Sequence, residues 1–229
     1  ANTMTALAGE TRPILTFGVE RGDVHAENLT FRHGCGEFDA VCQGQVYAHI
    51  CLSVPGIHNV KNALAAAAAA KALRVPGIAV ERGLAAFRLP GRRFEYKGEY
   101  NGAKVYDDYA HHPGELAALL DTASTLGYKR VICAFQPHTY SRTYELFDDF
   151  VRVLRRPDVT LLAEIYAARE TNSLGISSRD LSARIPGSVY CPTLDDVTAA
   201  LRRLAQPGDL ILTVGAGDIY TAGEKLLQE

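Results

Sequence analysis

Hydrophobic and polar positions change their period twice along this chain. Between Ile14 and Val54 the apolar residues come in short runs, "ILTFGV", "NLTFRH", "EFDAVC" and "QVYAHICLSV", broken at Gly22, Gly34–Gly36 and Gly44. Near-alternation bounded by turn residues predicts a small antiparallel meander. Beyond it, "GIHNVKNALAAAAAAKALRV" is dense in strong helix formers and predicts a long helix. "VPGIAVERGLAAF" predicts a shorter one opened by Pro76.

At 89–95 the segment "LPGRRFE" interrupts the pattern, and a boundary is expected there between a unit of residues 1–90 and a unit of residues 91–229. "RFEYKGEYNGAKVYDD" reads as a hairpin closed by Asn101-Gly102. Regular alternation follows. Helices at 113–126, 140–154, 178–183 and 194–204 precede the strands "RVICAFQ", "VTLLAEIY", "SVYC" and "DLILTVG". That order predicts an α/β fold with a doubly wound, Rossmann-like parallel sheet, preceded by small antiparallel strands plus helices. In such sheets ligands sit at the C-terminal strand ends. Four polar clusters fall at those ends: "DDYAHHP", "QPHTYSR", "EIYAARETN" and "GAGDI".

Composition narrows the picture. The 229 residues, 47% hydrophobic and 22% charged, suffice for a buried core, and a net charge of −2 argues against nucleic acid or an acidic membrane as partner. The longest apolar run, "ALAAAAAA" at 63–70, is too short for a membrane span. Five cysteines without CxxC spacing read as thiols of a reducing cytoplasm. "ANTMTALAGETRP" at the start has no signal-peptide pattern and reads like an internal segment.

Each cluster has a bland reading beside a sharp one. "GAGDIY" (215–220) lacks the third glycine of a dinucleotide fingerprint and reads as a tight strand–helix turn as readily as a phosphate loop; no glycine precedes a lysine, so there is no P-loop. His58, Asn59 and Asn62 open the long helix, where amides three apart suit an adenine edge, or simply cap the helix. Arg92 and Arg93 are either solvated or a fork for phosphate oxygens. His111, His112 and His138 with Asp107 or Asp108 match no metal-ligand spacing, and no metal site is expected there. With Arg142 they offer donors and a cation suited to a carboxylate or phosphate.

Taken in order, "VPGIHNVKNALAA", "LPGRRFEYKGEYNGAKVYDDYAHHPGE", "FQPHTYSRT", "EIYAARETNSLGISS" and "GAGDIY" resemble the Mur ligases over the whole chain. The resemblance implies the last part of a central ATPase domain (1–90) and a complete C-terminal Rossmann-like domain (91–229), with the P-loop and the Mg2+ ligands expected upstream of Ala1. It implies ATP with Mg2+, and UDP-N-acetylmuramate and L-alanine as substrates, joined in the cytoplasm through an acyl phosphate. By the same resemblance Asn59 and Asn62 contact adenine, with His58 beside them. Arg93 reaches the ATP phosphates, and Asp108 serves the ribose and domain closure. Tyr109 and His111 lie near the amino acid and the muramoyl carboxylate, and His138 and Arg142 lie in the loop that holds the same end of the sugar substrate. Arg93 and His111 are the implied catalytic pair. Thr139 stands where some relatives carry arginine, which leaves one anion contact open or moves it to Arg142. Tripeptide-recycling members of the family are the near rivals, but their corresponding segment reads more like "FEPRSNT" than "FQPHTYSRT". A module that only binds nucleotide and a plain dinucleotide binder are the remaining alternatives.

Overall fold

The computed structural model describes residues 10–228, so most of the segment read above as internal lies outside the described residues. The chain divides into two compact units, Ala1–Arg88 and Leu89–Glu229.

In the N-terminal unit a sheet runs in the order β1 (Phe17–Gly18), β2 (Val24–Arg32), β3 (Cys35–Cys42), β4 (Gln45–Pro55). The three long strands form the expected antiparallel meander. The run "ILTFGV" supplies only the two-residue β1, which pairs parallel to β2. Both hairpin turns, His33-Gly34 and Gln43-Gly44, place two successive residues at positive φ. That is the turn geometry whose twist matches paired strands. Helix α1 (Ile57–Ala72) buries Val60, Ala63, Leu64, Ala67 and Ala68. Its alanines allow a close approach, and a Cβ added to Gly36 would come within 2.5 Å of Val60 Cγ2. Helix α2 (Gly77–Ala86) begins with backbone against backbone, since a Cβ on Gly77 would overlap the Tyr47 carbonyl oxygen.

The C-terminal unit holds a six-stranded sheet of β5 (Glu95–Tyr100), β6 (Ala103–Asp108), β7 (Arg130–Phe135), β8 (Val159–Ala163), β9 (Val189–Cys191) and β10 (Asp209–Val214), in spatial order β5-β6-β10-β7-β8-β9. Only β5 is antiparallel, and its hairpin with β6 turns at Asn101-Gly102. The helices are α3 (Pro113–Ser124), α4 (Tyr140–Glu145), α5 (Phe147–Leu154), α6 (Ser178–Arg184), α7 (Leu194–Leu204) and α8 (Tyr220–Leu227). Leu116, Phe150 and Leu181 of α3, α5 and α6 share a core with Phe135 and Leu212 on one face of the sheet. Val197, Leu201 and Leu226 of α7 and α8 share another with Ile132 and Ile211 on the opposite face. The sheet is doubly wound.

The single helix expected over 140–154 is in fact two, broken at Leu146 (φ −108°, ψ 22°). Asp148 and Asp149 then lie in the first turn of α5, where carboxylates favour a helix start.

Candidate functional site

The strand order creates the crevice. Strand β10 lies between β6 and β7; α3 and α5, which follow β6 and β7, pack on one face, whereas α8, which follows β10, packs on the other. Chains leaving adjacent strand ends in opposite directions open a gap at their C-terminal tips, the usual place for a ligand in open α/β sheets.

Arg92 locks the floor of that gap. Its Nε donates to Asp107 Oδ2 at 2.8 Å, and its two terminal nitrogens donate to the carbonyls of Gly217 (3.0 Å) and Gly215 (2.7 Å). The guanidinium also lies over the rings of Tyr109 (5.0 Å) and Tyr220 (4.6 Å). Asp107, 1% exposed, accepts a further bond from Thr213 Oγ1. Arg93 differs. It is half-buried, lies 5.8 Å from the Tyr109 ring centroid, and has no side-chain hydrogen bond or ion pair among the described residues. Of the two arginines, one is spent on the fold and the other is available to an anion.

Asp108 is also committed. Its oxygens accept the backbone N–H groups of Phe94 (2.7 Å) and Ala110 (2.8 Å), which tie the 89–95 segment to the tip of β6. Burial pushes its carboxyl up, against the pull of those two bonds. Each Asp108 oxygen thus already accepts one backbone N–H and keeps a lone pair for a further donor.

The loop after β10 closes tightly rather than cradling phosphate. Gln136 donates to Asp218 Oδ1 (2.8 Å) and accepts from Ile219 N (3.1 Å), consuming loop groups a phosphate would need. A Cβ on Gly217 would sit 2.3 Å from Gln136 Oε1 and 2.6 Å from Tyr166 Cγ. Gly217→Ala should therefore lower stability by about 1–3 kcal/mol through overpacking, read as a lower midpoint in urea.

Above this floor four predicted residues converge. His111 Nδ1 lies 3.0 Å from the Tyr109 carbonyl oxygen and 3.5 Å from Glu115 Oε2. The rings of Tyr109 and His111 meet edge to face at 5.6 Å, and those of His111 and His138 are 6.0 Å apart. Arg142 approaches both the Nδ1 and the carbonyl oxygen of His138 at 3.4 Å, contacts long enough to be weak. Burial, then the nearby Arg142 and His111, pushes the His138 imidazole below its ordinary value, so it is neutral at pH 7.

His112, the other histidine of "AHHP", is a cap. Its Nδ1 accepts from Gly114 N, and Glu115 completes a capping box at the start of α3, with Pro113 in the first turn. His111, His112, His138, Asp107 and Asp108 form no metal-ligand group among the described residues.

Tyr166 is the participant that the sequence reading passed over. It stacks on His138 at 5.6 Å, while Tyr166 N donates to Pro137 O and Thr139 N donates to Tyr166 O, both at 2.9 Å. This one-residue bridge carries the sheet past its strand ends and fixes His138. It also holds Thr139 at φ +69°, a region that a β-branched residue occupies only under restraint. The aromatic in "EIYAARETN" was the available signal.

In the N-terminal unit the residues expected to face adenine open α1 together. Asn59 is buried, donates to Pro55 O at 2.7 Å, and accepts from Asn62 Nδ2 at 3.4 Å, while Asn62 itself is exposed. Asn59 thus anchors the β4–α1 junction, and the outward amide is that of Asn62.

Fold and crevice together define an α/β unit of the doubly wound class. The chain belongs to the Mur ligase family. The model of the Mur ligase glutamate ligase domain matches residues 92–217, and that of the Mur ligase middle domain matches residues 1–70. A UDP-N-acetylmuramate–L-alanine ligase of Clostridium novyi is 43% identical over 219 residues, covering 94% of this chain and 48% of the relative. One from Caldanaerobacter subterraneus is 40% identical over 235 residues, covering 100% and 51%. Among solved structures, the UDP-N-acetylmuramate–alanine ligase of Thermotoga maritima aligns with a TM-score of 0.77 at 26% identity, over 93% of this chain and 47% of that one. A murein peptide ligase of Psychrobacter arcticus aligns at 0.67 and 25% identity, over 98% and 48%. The chain spans about half the length of the curated relatives it matches.

Proposed function

We propose that this chain serves an ATP-dependent ligase that joins L-alanine to UDP-N-acetylmuramate in peptidoglycan precursor synthesis. The observation that carries the reading is the convergence of Tyr109, His111, His138 and Arg142 above the β6/β10/β7 crevice. The curated relatives named for this activity support the choice of amino acid over the peptide-adding alternative.

In the proposed reaction the lactyl carboxylate attacks the γ-phosphate of ATP, giving an acyl phosphate and ADP. The alanine amine then attacks the acyl carbon, phosphate leaves with the bonding pair, and the amine gives up its proton. Both substrates of the first step are anions, so a cation must already be in place. Arg93 suits that task because its guanidinium makes no hydrogen bond or ion pair among the described residues.

The two histidines suit opposite ends of an amino acid. His111 Nδ1 faces a carbonyl and so carries the proton, leaving Nε2 to accept from an ammonium group. His138 Nδ1 faces the Arg142 guanidinium and so accepts, leaving its proton on Nε2, where with Arg142 it can grip a carboxylate.

Mg2+ belongs to the family chemistry, but this rim is not built for it. Asp107, Asp108 and Asp218 already serve Arg92, two backbone amides and Gln136 respectively. No step proposed here runs through the ion.

The assay is ADP release by an enzyme in which this chain is joined to the other half of the length seen in its relatives. Release should depend on L-alanine with UDP-N-acetylmuramate. Release driven equally well by a free tripeptide in place of alanine, or indifferent to alanine, would reject the reading.

A further inference from the structure

The outward face of the N-terminal sheet carries a second set of reactive side chains, placed there by strand register. Strand β4 turns Ala48, Ile50, Leu52 and Val54 into the core, so His49 and Cys51 point out. The β3–β4 pairing sets Glu37 opposite Cys51 and Asp39 opposite His49.

His49 is held in one orientation. Its Nδ1 lies 2.7 Å from Asp39 Oδ1, and the other Asp39 oxygen accepts from Asn28 Nδ2 at 2.8 Å. A carboxylate on Nδ1 fixes the tautomer and leaves the Nε2 lone pair facing outward, as it does behind histidines that bind metals. Nε2 then lies 3.6 Å from Cys51 Sγ and 3.6 Å from Glu37 Oε1, and all three atoms fall within 4.8 Å of one another. A tetrahedral ion with bonds of about 2.0–2.3 Å needs its ligand atoms about 3.3–3.7 Å apart. The two spacings measured from Nε2, 3.6 Å each, match edges of that tetrahedron, and a small movement of Cys51 or Glu37 would bring the third into range.

We propose that Glu37, His49 and Cys51 form a zinc site, with Asp39 as the carboxylate behind the histidine and water in the fourth position. One sulfur, one nitrogen and one oxygen select a borderline ion such as Zn2+ over Mg2+ or Ca2+. The ligands come from two paired strands rather than from a loop, so the ion would staple β3 to β4. This site is independent of the ligase reading.

Two further charged groups border the set: Arg32 Nε lies 3.3 Å from Glu37 Oε2, and Glu81 Oε1 accepts from His49 N at 2.8 Å.

The test uses Zn2+ alone with the 229-residue chain. Cys51 is the exposed cysteine; Cys42, Cys133 and Cys191 are buried and Cys35 is partly so. One equivalent of Zn2+ should slow alkylation of Cys51 by iodoacetamide, and calorimetry should give one site. His49→Gln and Cys51→Ser should abolish that site, and Asp39→Asn should weaken it by about 10–100-fold. An alkylation rate indifferent to Zn2+, or an affinity that survives both His49→Gln and Cys51→Ser, overturns the assignment. The alkylation measurement needs no variant, so it stands even if a substitution disturbs the sheet.

Discussion

Arg92→Met should destabilise the C-terminal unit by about 3–5 kcal/mol, because it leaves the Asp107 carboxylate buried without its partner. Asp107 is 1% exposed, and Thr213 supplies only a neutral hydroxyl in compensation. The same substitution strips donors from the Gly215 and Gly217 carbonyls and removes the cation from between the Tyr109 and Tyr220 rings. Urea unfolding followed by a C-terminal probe measures the loss. Its adjacent control is Arg93→Met, which should move stability by no more than about 0.5 kcal/mol, since that side chain bonds to nothing among the described residues. In the joined enzyme Arg93→Met should instead lower turnover. If both variants unfold alike, the division of labour between these neighbours is wrong.

Arg142→Ala should act on catalysis and leave the fold alone. Its contacts with His138 are 3.4 Å long, too weak to hold structure, so thermal unfolding should be nearly unchanged. A charge-assisted bond to a carboxylate is worth about 1.5–3 kcal/mol, which converts to about a 10- to 150-fold rise in the KM for L-alanine. The KM for ATP should hardly move. A change confined to ATP would transfer Arg142 to the nucleotide. The neutral His138 next to it matters here: were that imidazole charged, it would share the carboxylate and blunt the effect of losing the arginine.

Much of this architecture is legible one segment at a time. Asn101-Gly102 states its hairpin because both residues accept positive φ, and they adopt it. "HPGE" states the start of α3 because a proline in the first turn and a glutamate three residues past the cap are what a helix start needs. The alternation of strands and helices after residue 103 states a parallel sheet. The break at Leu146 carries no glycine or proline and went unread. The two-residue β1 was unreadable too, since an apolar run does not reveal how much of itself finds a partner strand.

The site divides along the same line. Tyr109, His111, His138 and Arg142 announce themselves as polar clusters at strand ends, and the fold brings them within ring contact or hydrogen-bond reach of one another. Nothing local separates Arg92 from Arg93. One backbone step decides which guanidinium turns toward Asp107 and the last strand, more than 100 residues away in sequence. Tyr166 reaches His138 only because β7 and β8 are neighbours.

By itself, then, the sequence determined most of the elements, the α/β class and the polar clusters at the strand ends, because periods of 2 and 3.6 and turn chemistry are local properties. Tertiary structure alone decided that β10 inserts between β6 and β7, that Asp107, Asp108 and Gln136 are spent on the fold, and that His49 meets Cys51 and Glu37 across a sheet face. Those outcomes depend on pairing between distant strands, which no window of the sequence contains.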